Sequence, residues 1–94
     1  MSDFIFIWDK NKAKSNYQKH GVKFSEAETV FDDDNLIYKM DIRHSVNEER
    51  YIAIGMSANP RILMVCHCII DGAFIRIISA RPANKAEIQE YELR

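Results

Sequence analysis

The sequence of 94 residues suffices for one small domain, and its 47% hydrophobic and 29% charged residues are typical of a chain with a folded core. This composition argues against a disordered chain. No apolar stretch reaches the roughly 20 residues of a transmembrane helix, and the N-terminus lacks the pattern of a signal peptide. We therefore expect one domain over residues 1–94 that lies in the cytoplasm and has no membrane partner.

The net charge of −1 conceals three segments of opposite sign. Residues 9–23 contain five lysines and one aspartate, which sum to +4, whereas residues 25–49 contain eight acids and two bases, which sum to −6. Residues 50–85 contain five bases and one aspartate and again sum to +4. Because an anionic partner responds to the local potential, the two basic segments allow binding to nucleic acid despite the total.

The first predicted elements are a strand and a polar helix. Phe4–Trp8 is a short apolar run rich in residues that favour strands. Asp9 is a candidate N-cap for a helix over Lys10–His20, a segment without glycine or proline, and Gly21 supplies its C-terminal stop. The sequence therefore predicts a strand followed by an 11-residue helix.

A short second helix, four strands and a last helix follow. Ser25 and Glu28 have the spacing of a capping box, which places the start of the second helix at Ser25. Runs of β-branched and aromatic residues predict strands over 36–42, 50–56, 62–69 and 74–80. Asn84 and Glu87 cap a last helix that continues through Tyr91. This order predicts an α+β fold with an antiparallel sheet and the helices on one of its faces.

The turns between the last three strands predict a row of polar side chains. If the Asp-Gly dipeptide forms a two-residue hairpin turn, His67 lies opposite Arg76. If residues 57–60 form the preceding loop, Arg50 lies opposite His67 on its other side. Such a row, on the face without helices, would bind one small anion, because opposed Cβ atoms lie ~4.5 to 5.5 Å apart. An equally weighted alternative is that an acid such as Glu49 simply pairs with these arginines.

No metal or cofactor is expected. Cys66 and Cys68 point to the same face of a strand and read as reduced packing thiols, while His67 points to the other face. The remaining candidates for a small metal enzyme are Asp32, Asp33, Asp41 and His44. Their spacing matches no known set of ligands.

Three ordered segments resemble the motifs of one family. The segment WDKNKAKSNYQKHGVKFSEA resembles the W-D-x-x-K-x-x-x-N-x-x-K-H-G-[IV]-x-F-x-E-A opening of BrnT-type toxins, and ERYIAIG and RIISARPANKAEIQEYE resemble their middle and closing motifs. The resemblance runs from Phe4 to Glu92. It implies a RelE-like α+β fold, endoribonuclease activity and a BrnA-like antitoxin. That antitoxin would contact operator DNA, so the toxin would reach DNA only within a heteromeric complex.

The resemblance also implies roles for the charged residues. RNA cleavage without a metal would proceed by attack of the ribose 2′-oxygen on the adjacent phosphate, and Arg76 and Arg81 would bind that phosphate. Glu49 or His67 would move protons, and the choice of His67 rests on the predicted strand register instead of the resemblance. Arg81 has the opposite parity to Arg76 and reaches the same site only if the chain bends at the Ala-Arg-Pro segment. The predicted catalytic residues are Arg76, Arg81, His67, Glu49 and Arg50, and the predicted RNA-binding residues are Lys12, Lys19, Arg61 and Lys85.

A rival hypothesis keeps the fold and the partner but not the enzyme. A net charge of −1 is low for a ribonuclease of this kind, and the FDDDN segment concentrates acid early in the chain. A non-catalytic protein of the same fold would bind the antitoxin and act as its corepressor. Growth arrest on expression without antitoxin distinguishes the two hypotheses.

Overall fold

In a computed structural model, the described residues are 4–44 and 48–93, with the backbone alone at position 44. The strands are β1 (Ile5–Ile7), β2 (Ile37–Met40), β3 (Tyr51–Met56), β4 (Ile62–Ile70) and β5 (Phe74–Pro82). The α-helices are α1 (Lys10–His20), α2 (Phe24–Glu28) and α3 (Lys85–Leu93), and short 3-10 helices cover Thr29–Asp32 and Ile42–His44. The strands form one sheet in the order β1-β5-β4-β3-β2. The predicted α+β class is confirmed.

One strand pair is parallel, so the sheet is mixed. Ile5 lies opposite Phe74 and Ile7 lies opposite Arg76 in a parallel pairing of β1 with β5. The other three pairs are antiparallel, as predicted. The orientation of β1 was not readable from local pattern, because no tight turn joins it to its neighbour.

Both predicted ends of the first helix and the predicted start of the last helix are confirmed, while the last helix continues to Leu93 instead of Tyr91. The carboxylate of Asp9 accepts a hydrogen bond from the Lys12 amide at 3.0 Å, and Gly21 ends α1 with a φ of 68°. At α3, the Glu87 amide donates to the Asn84 side chain at 2.8 Å, and the Asn84 amide donates to the Glu87 carboxylate at 2.9 Å. Both ends depend on residues within three or four positions, which is why sequence alone predicts them.

The predicted start of α2 is wrong. The helix begins at Phe24, and Lys23 stands at the N-cap without a side-chain hydrogen bond. Phe24 is buried in the core, so tertiary packing sets the start of this five-residue helix.

The predicted turn at the β4–β5 hairpin forms, but the register deduced from it is wrong by one residue. Asp71 and Gly72 have positive φ values of 52° and 70°, and the Ala73 amide donates to the Ile70 carbonyl at 3.2 Å. The strand ladder nevertheless pairs Ile70 with Phe74. Ala73 is thus an additional residue between the turn and the ladder, and it moves every later partner by one position.

The register predicted between β3 and β4 is also wrong by one residue. The loop spans residues 57–61 instead of 57–60, because Met56 pairs with Ile62. His67 therefore lies opposite Tyr51 on one side and Ile77 on the other. The predicted row of two arginines around His67 does not form.

The helices pack on both faces of the sheet, not on one face as predicted. Helices α1 and α2 cover the face whose core contains Val22, Phe24, Ala27, Val30, Ala53, Leu63, Val65, Ile75, Ile77 and Ala80. Helix α3 contacts β3, and its Glu87 and Glu90 bind Arg81 and Lys39. By strand register, these two basic residues share their face with the buried Ile54. Helix α3 therefore lies on the second face.

A β-bulge in β5 places Arg76 and Arg81 on that second face together. Arg76 lies opposite Cys68, and Arg81 lies opposite Met64, with a register shift between them that leaves Ile78 as the extra residue. Cys68 and Met64 are four positions apart on β4 and point to the same face, so their partners do as well. The sequence predicts that Arg81 needs a bend to reach the face of Arg76, and the bulge at Ile78 provides it just before the Ala-Arg-Pro segment.

A buried asparagine attaches α1 to the edge of β5. The Asn16 side-chain nitrogen donates to the carbonyls of Ala80 at 2.8 Å and Val22 at 3.0 Å. Its side-chain oxygen accepts from the Ala80 amide at 3.0 Å. The pairing of β1 with β5 ends at Arg76, so no strand among the described residues binds the edge of β5 near Ala80. Asn16 therefore satisfies backbone groups there that a neighbouring strand would otherwise bind.

Candidate functional site: an arginine face and a basic groove

The second face of the sheet, here called the arginine face, presents Arg50, Arg76 and Arg81 around the two cysteines. Arg76 lies directly opposite Cys68. Arg50 immediately precedes β3 and has the parity of Ile52, which lies opposite Cys66. Its positive charge acts on both thiols and favours their ionised forms. The structure therefore brings Arg50 and Arg76 together around Cys68, where the sequence predicted His67.

Arg76 and Arg81 bind carboxylates of the same chain. Arg76 donates to Glu48, and both side chains are more than one-third exposed. Arg81 donates through two nitrogens to the two oxygens of Glu87, at 2.8 and 2.9 Å. Paired hydrogen bonds of this kind fix the guanidinium plane. A phosphate that binds either guanidinium group has to displace its carboxylate partner.

Glu48 is a site residue that the sequence analysis missed. The prediction named Glu49, but the Glu49 carboxylate accepts a hydrogen bond from the Tyr51 hydroxyl at 2.7 Å, which raises the pKa of Tyr51. The available signal was alternation, because residues 48, 50 and 52 share one parity in an extended segment. That parity places Glu48 with Arg50, on the arginine face.

The thiols of the arginine face are neutral packing groups. Cys66 and Cys68 are free and buried, as predicted, and burial raises the pKa of each. The charges of Arg50 and Arg76 oppose that shift without reversing it. Neither thiol is therefore activated as a nucleophile.

His67 lies on the opposite face, inside an aromatic cluster. It is 0% exposed, and its ring contacts Phe31 edge-on at a centroid distance of 4.9 Å. Its Nδ1 lies 3.3 Å from the Val65 carbonyl, which only accepts, so Nδ1 carries the proton and Nε2 accepts from the Tyr38 hydroxyl at 2.6 Å. Burial lowers the pKa of His67 to about 4. The structure does not bring His67 together with Arg76.

A basic groove runs between α1 and the edge of β5. It consists of two adjoining clefts of about 360 and 200 Å³ that share Lys12 and Ile78. Arg76 lines the first cleft, and Lys19 and His20 line the second. We use the name basic groove for this surface. It brings three of the predicted residues together, since it leads from Arg76 past Lys12 to Lys19.

The other two predicted RNA-binding residues lie elsewhere. Arg61 donates to both oxygens of the buried Glu26 at 2.7 and 2.8 Å and to the Gly21 carbonyl at 3.0 Å. These bonds lower the pKa of Glu26, although burial opposes the shift. Arg61 thereby links the end of α1 to α2 and the β3–β4 loop. Lys85 is exposed at the first position of α3.

Comparisons with known proteins agree with this architecture. The sequence model for "Ribonuclease toxin, BrnT, of type II toxin-antitoxin system" matches residues 8–87. The fold is similar to the 1.1 Å crystal structure of the Brucella abortus ribonuclease toxin BrnT, with a TM-score of 0.64 and 25% identity over 87% of this chain and 99% of that chain. A search of curated proteins finds no match. Within residues 4–44 and 48–93, no helix is long and apolar enough to cross a membrane.

Proposed function

From the premise that this chain belongs to the BrnT family of ribonuclease toxins of type II toxin–antitoxin systems, we propose that it is a metal-independent endoribonuclease that acts at the arginine face. The observation that supports this proposal is the position of Arg76. Its side chain lies on the arginine face, and the residue is also among those that line the basic groove. RNA held in the groove by Lys12 and Lys19 would therefore present a phosphate to Arg76.

The proposed reaction is an internal phosphoryl transfer. The ribose 2′-oxygen loses its proton and attacks the adjacent phosphorus, the bond from phosphorus to the 5′-oxygen breaks, and that oxygen takes up a proton from water, so that a 2′,3′-cyclic phosphate and a 5′-hydroxyl form. Negative charge grows on the phosphoryl oxygens, so preorganised guanidinium groups stabilise the transition state more than the ground state. Arg76 and Arg50 supply these guanidinium groups. Arg81 lies opposite Met64, four residues along β4 from the Cys68 that faces Arg76, so the two arginines are roughly 13 Å apart and Arg81 binds a different phosphate of the same RNA strand.

The proton acceptor in this proposal is Glu48. In the free protein its carboxylate binds Arg76. A phosphate that takes its place on Arg76 leaves this carboxylate beside the attacking 2′-hydroxyl, where it removes the proton. The earlier candidates, Glu49 and His67, have less favourable positions, because Glu49 binds Tyr51 and His67 faces the aromatic cluster.

A type II toxin has an antitoxin partner. We propose that this partner is a BrnA-like protein and that the two form a heteromeric complex in the cytoplasm. Contact with operator DNA is made by the antitoxin. The toxin contributes the RNA-directed surface.

The test of the nuclease is cleavage of total RNA by the isolated protein in a buffer that contains EDTA. Arg76→Ala should lower the rate by ~10²- to 10³-fold, as expected when a donor to the phosphoryl oxygens is lost. Arg76→Lys should recover part of the rate because it restores the charge without the paired donors. Lys14→Ala, which removes one charge from the exposed surface of α1 outside the groove, should cleave at the wild-type rate. Unchanged cleavage by Arg76→Ala would refute the assignment.

One observation favours a second candidate function. Arg76 and Arg81 are both engaged by carboxylates of the same chain, as in a protein that binds no phosphate. A non-catalytic corepressor would show neither cleavage nor growth arrest when expressed without antitoxin, yet it would tighten operator binding by the antitoxin. Expression of the wild type and Arg76→Ala side by side separates the two functions, since only a nuclease makes growth arrest depend on Arg76.

A further inference from the structure

Strand β2 forms an edge of the sheet at the end opposite to the basic groove. In the sheet order it has β3 on one side and, within the described part of the chain, no strand on the other. The Asp41 amide donates to the Arg50 carbonyl at 2.7 Å, which identifies these residues as a hydrogen-bonded pair. Alternation along the ladder then directs the backbone N–H and C=O groups of Tyr38 and Met40 away from β3. These groups form a template for one more strand.

The edge carries exposed apolar side chains on one face, whereas the intervening Lys39 lies on the other face and binds Glu90. Tyr38 is 42% exposed, Met40 is 44% exposed and Ile42, just beyond the strand, is 79% exposed. The ring of Tyr38 stacks on Tyr51 at a centroid distance of 5.5 Å, and its hydroxyl donates to His67. Charged residues and prolines normally protect an exposed edge from pairing. Tyr38 and Met40, whose backbone groups point away from β3, carry an aromatic and an aliphatic side chain instead, which suits a partner strand.

The charge around β2 indicates the chemistry of that partner. Exposed acidic residues lie at both ends of β2. Asp32 and Asp34 precede its first residue, and Glu49 binds Tyr51, which pairs with the last residue of β2. The segment 25–49 has an excess of six negative charges. A matching strand would alternate apolar side chains with small or polar ones and would place lysine or arginine at its ends.

We propose that the antitoxin docks on this chain by adding one strand to the edge of β2. A type II toxin must present a surface to its antitoxin. Strand β2 combines backbone groups that point away from the sheet, exposed apolar side chains and negatively charged surroundings that would attract a basic segment. The proposal rests on membership of the toxin family and is independent of the nuclease mechanism. It also places the antitoxin strand and the RNA groove at opposite edges of the sheet.

The test is amide hydrogen exchange of the toxin alone and in the complex co-expressed with its antitoxin. Strand addition should slow exchange of the Tyr38 and Met40 amides at least about 10-fold, because both become hydrogen-bonded. Protection confined to α1 or to the basic groove would overturn the proposal. Protection of β2 in the toxin alone at high concentration, together with a dimer mass, would overturn it in favour of a second copy of this chain.

Two variants test the same surface by affinity. Met40→Pro removes one outward-directed amide and no bond to β3, so it should weaken capture of the antitoxin at least about 10-fold while the toxin remains folded. Ile42→Ser removes exposed apolar surface and should weaken capture about 5-fold without a folding penalty. The matched control is Ile5→Ser, which changes an isoleucine that is 55% exposed on β1, at the other edge. Equal capture by Ile42→Ser, Met40→Pro and the control would overturn the proposal.

Discussion

Removal of the two lysines of the basic groove should reduce the salt dependence of RNA binding. Lys12 and Lys19 both line the groove and are both exposed. Each lysine that neutralises a phosphate on single-stranded RNA contributes about −0.7 to the slope of log K against log salt, so two contribute roughly −1.4. From 50 to 200 mM salt, that difference corresponds to an additional loss of affinity of about 7-fold in the wild type. The Lys12→Ala/Lys19→Ala variant lacks this additional loss.

The assay is fluorescence anisotropy with a labelled single-stranded RNA whose riboses are 2′-O-methylated, so that the attacking hydroxyl is blocked. The matched control is Lys10→Ala/Lys14→Ala, which removes the same charge from the same helix but from side chains outside both clefts. The control should keep the wild-type slope. Identical slopes for the two double variants would refute the groove as the RNA path, whatever the cleavage assay shows.

Two further predictions concern stability. Burial lowers the pKa of His67 to about 4 from its ordinary 6.5, so only the unfolded chain binds a proton in this range, and stability falls as the pH drops from 6.5 to 4. The loss should reach roughly 3 kcal/mol below pH 4 in urea unfolding. A His67→Gln variant with the wild-type pH dependence would contradict this. Asn16→Ala leaves buried backbone groups of Ala80 and Val22 without hydrogen-bond partners, so it should lower the free energy of unfolding by about 2 to 4 kcal/mol. The exposed control Asn11→Ala should lower it by less than about 0.5 kcal/mol. Equal unfolding midpoints for these two variants would refute the conclusion that the Asn16 hydrogen bonds stabilise the attachment of α1 to β5.

Elements whose signals lie close together in the chain were predictable. Helix α1 begins after Asp9 and ends before Gly21, and the Asn84–Glu87 capping box starts α3. Each of these signals acts through hydrogen bonds over three or four residues, so no knowledge of the fold is needed. The five strands were also located to within two residues at every end, because their β-branched and aromatic side chains form short runs.

The arrangement of the site was not predictable from these local signals. The extra residue Ala73 and the five-residue loop 57–61 each moved a register by one position, and a shift of one position reverses the face of every side chain in the strand. His67 consequently faces the core, while Cys68 lies between the arginines. The bulge at Ile78 then returns Arg81 to the face of Arg76. None of these features leaves a distinctive residue pattern.

The sequence by itself determined the α+β class, both ends of α1, the start of α3 and, through its motifs, the resemblance to the BrnT family. Tertiary structure alone decided that β1 runs parallel to β5, that Glu48 binds Arg76, and that Lys12 and Lys19 form a groove leading to that arginine. The physical reason is the range of the interactions. Caps and side-chain alternation are settled within a few residues, whereas strand register and the approach of a helix to a sheet edge depend on packing between distant parts of the chain.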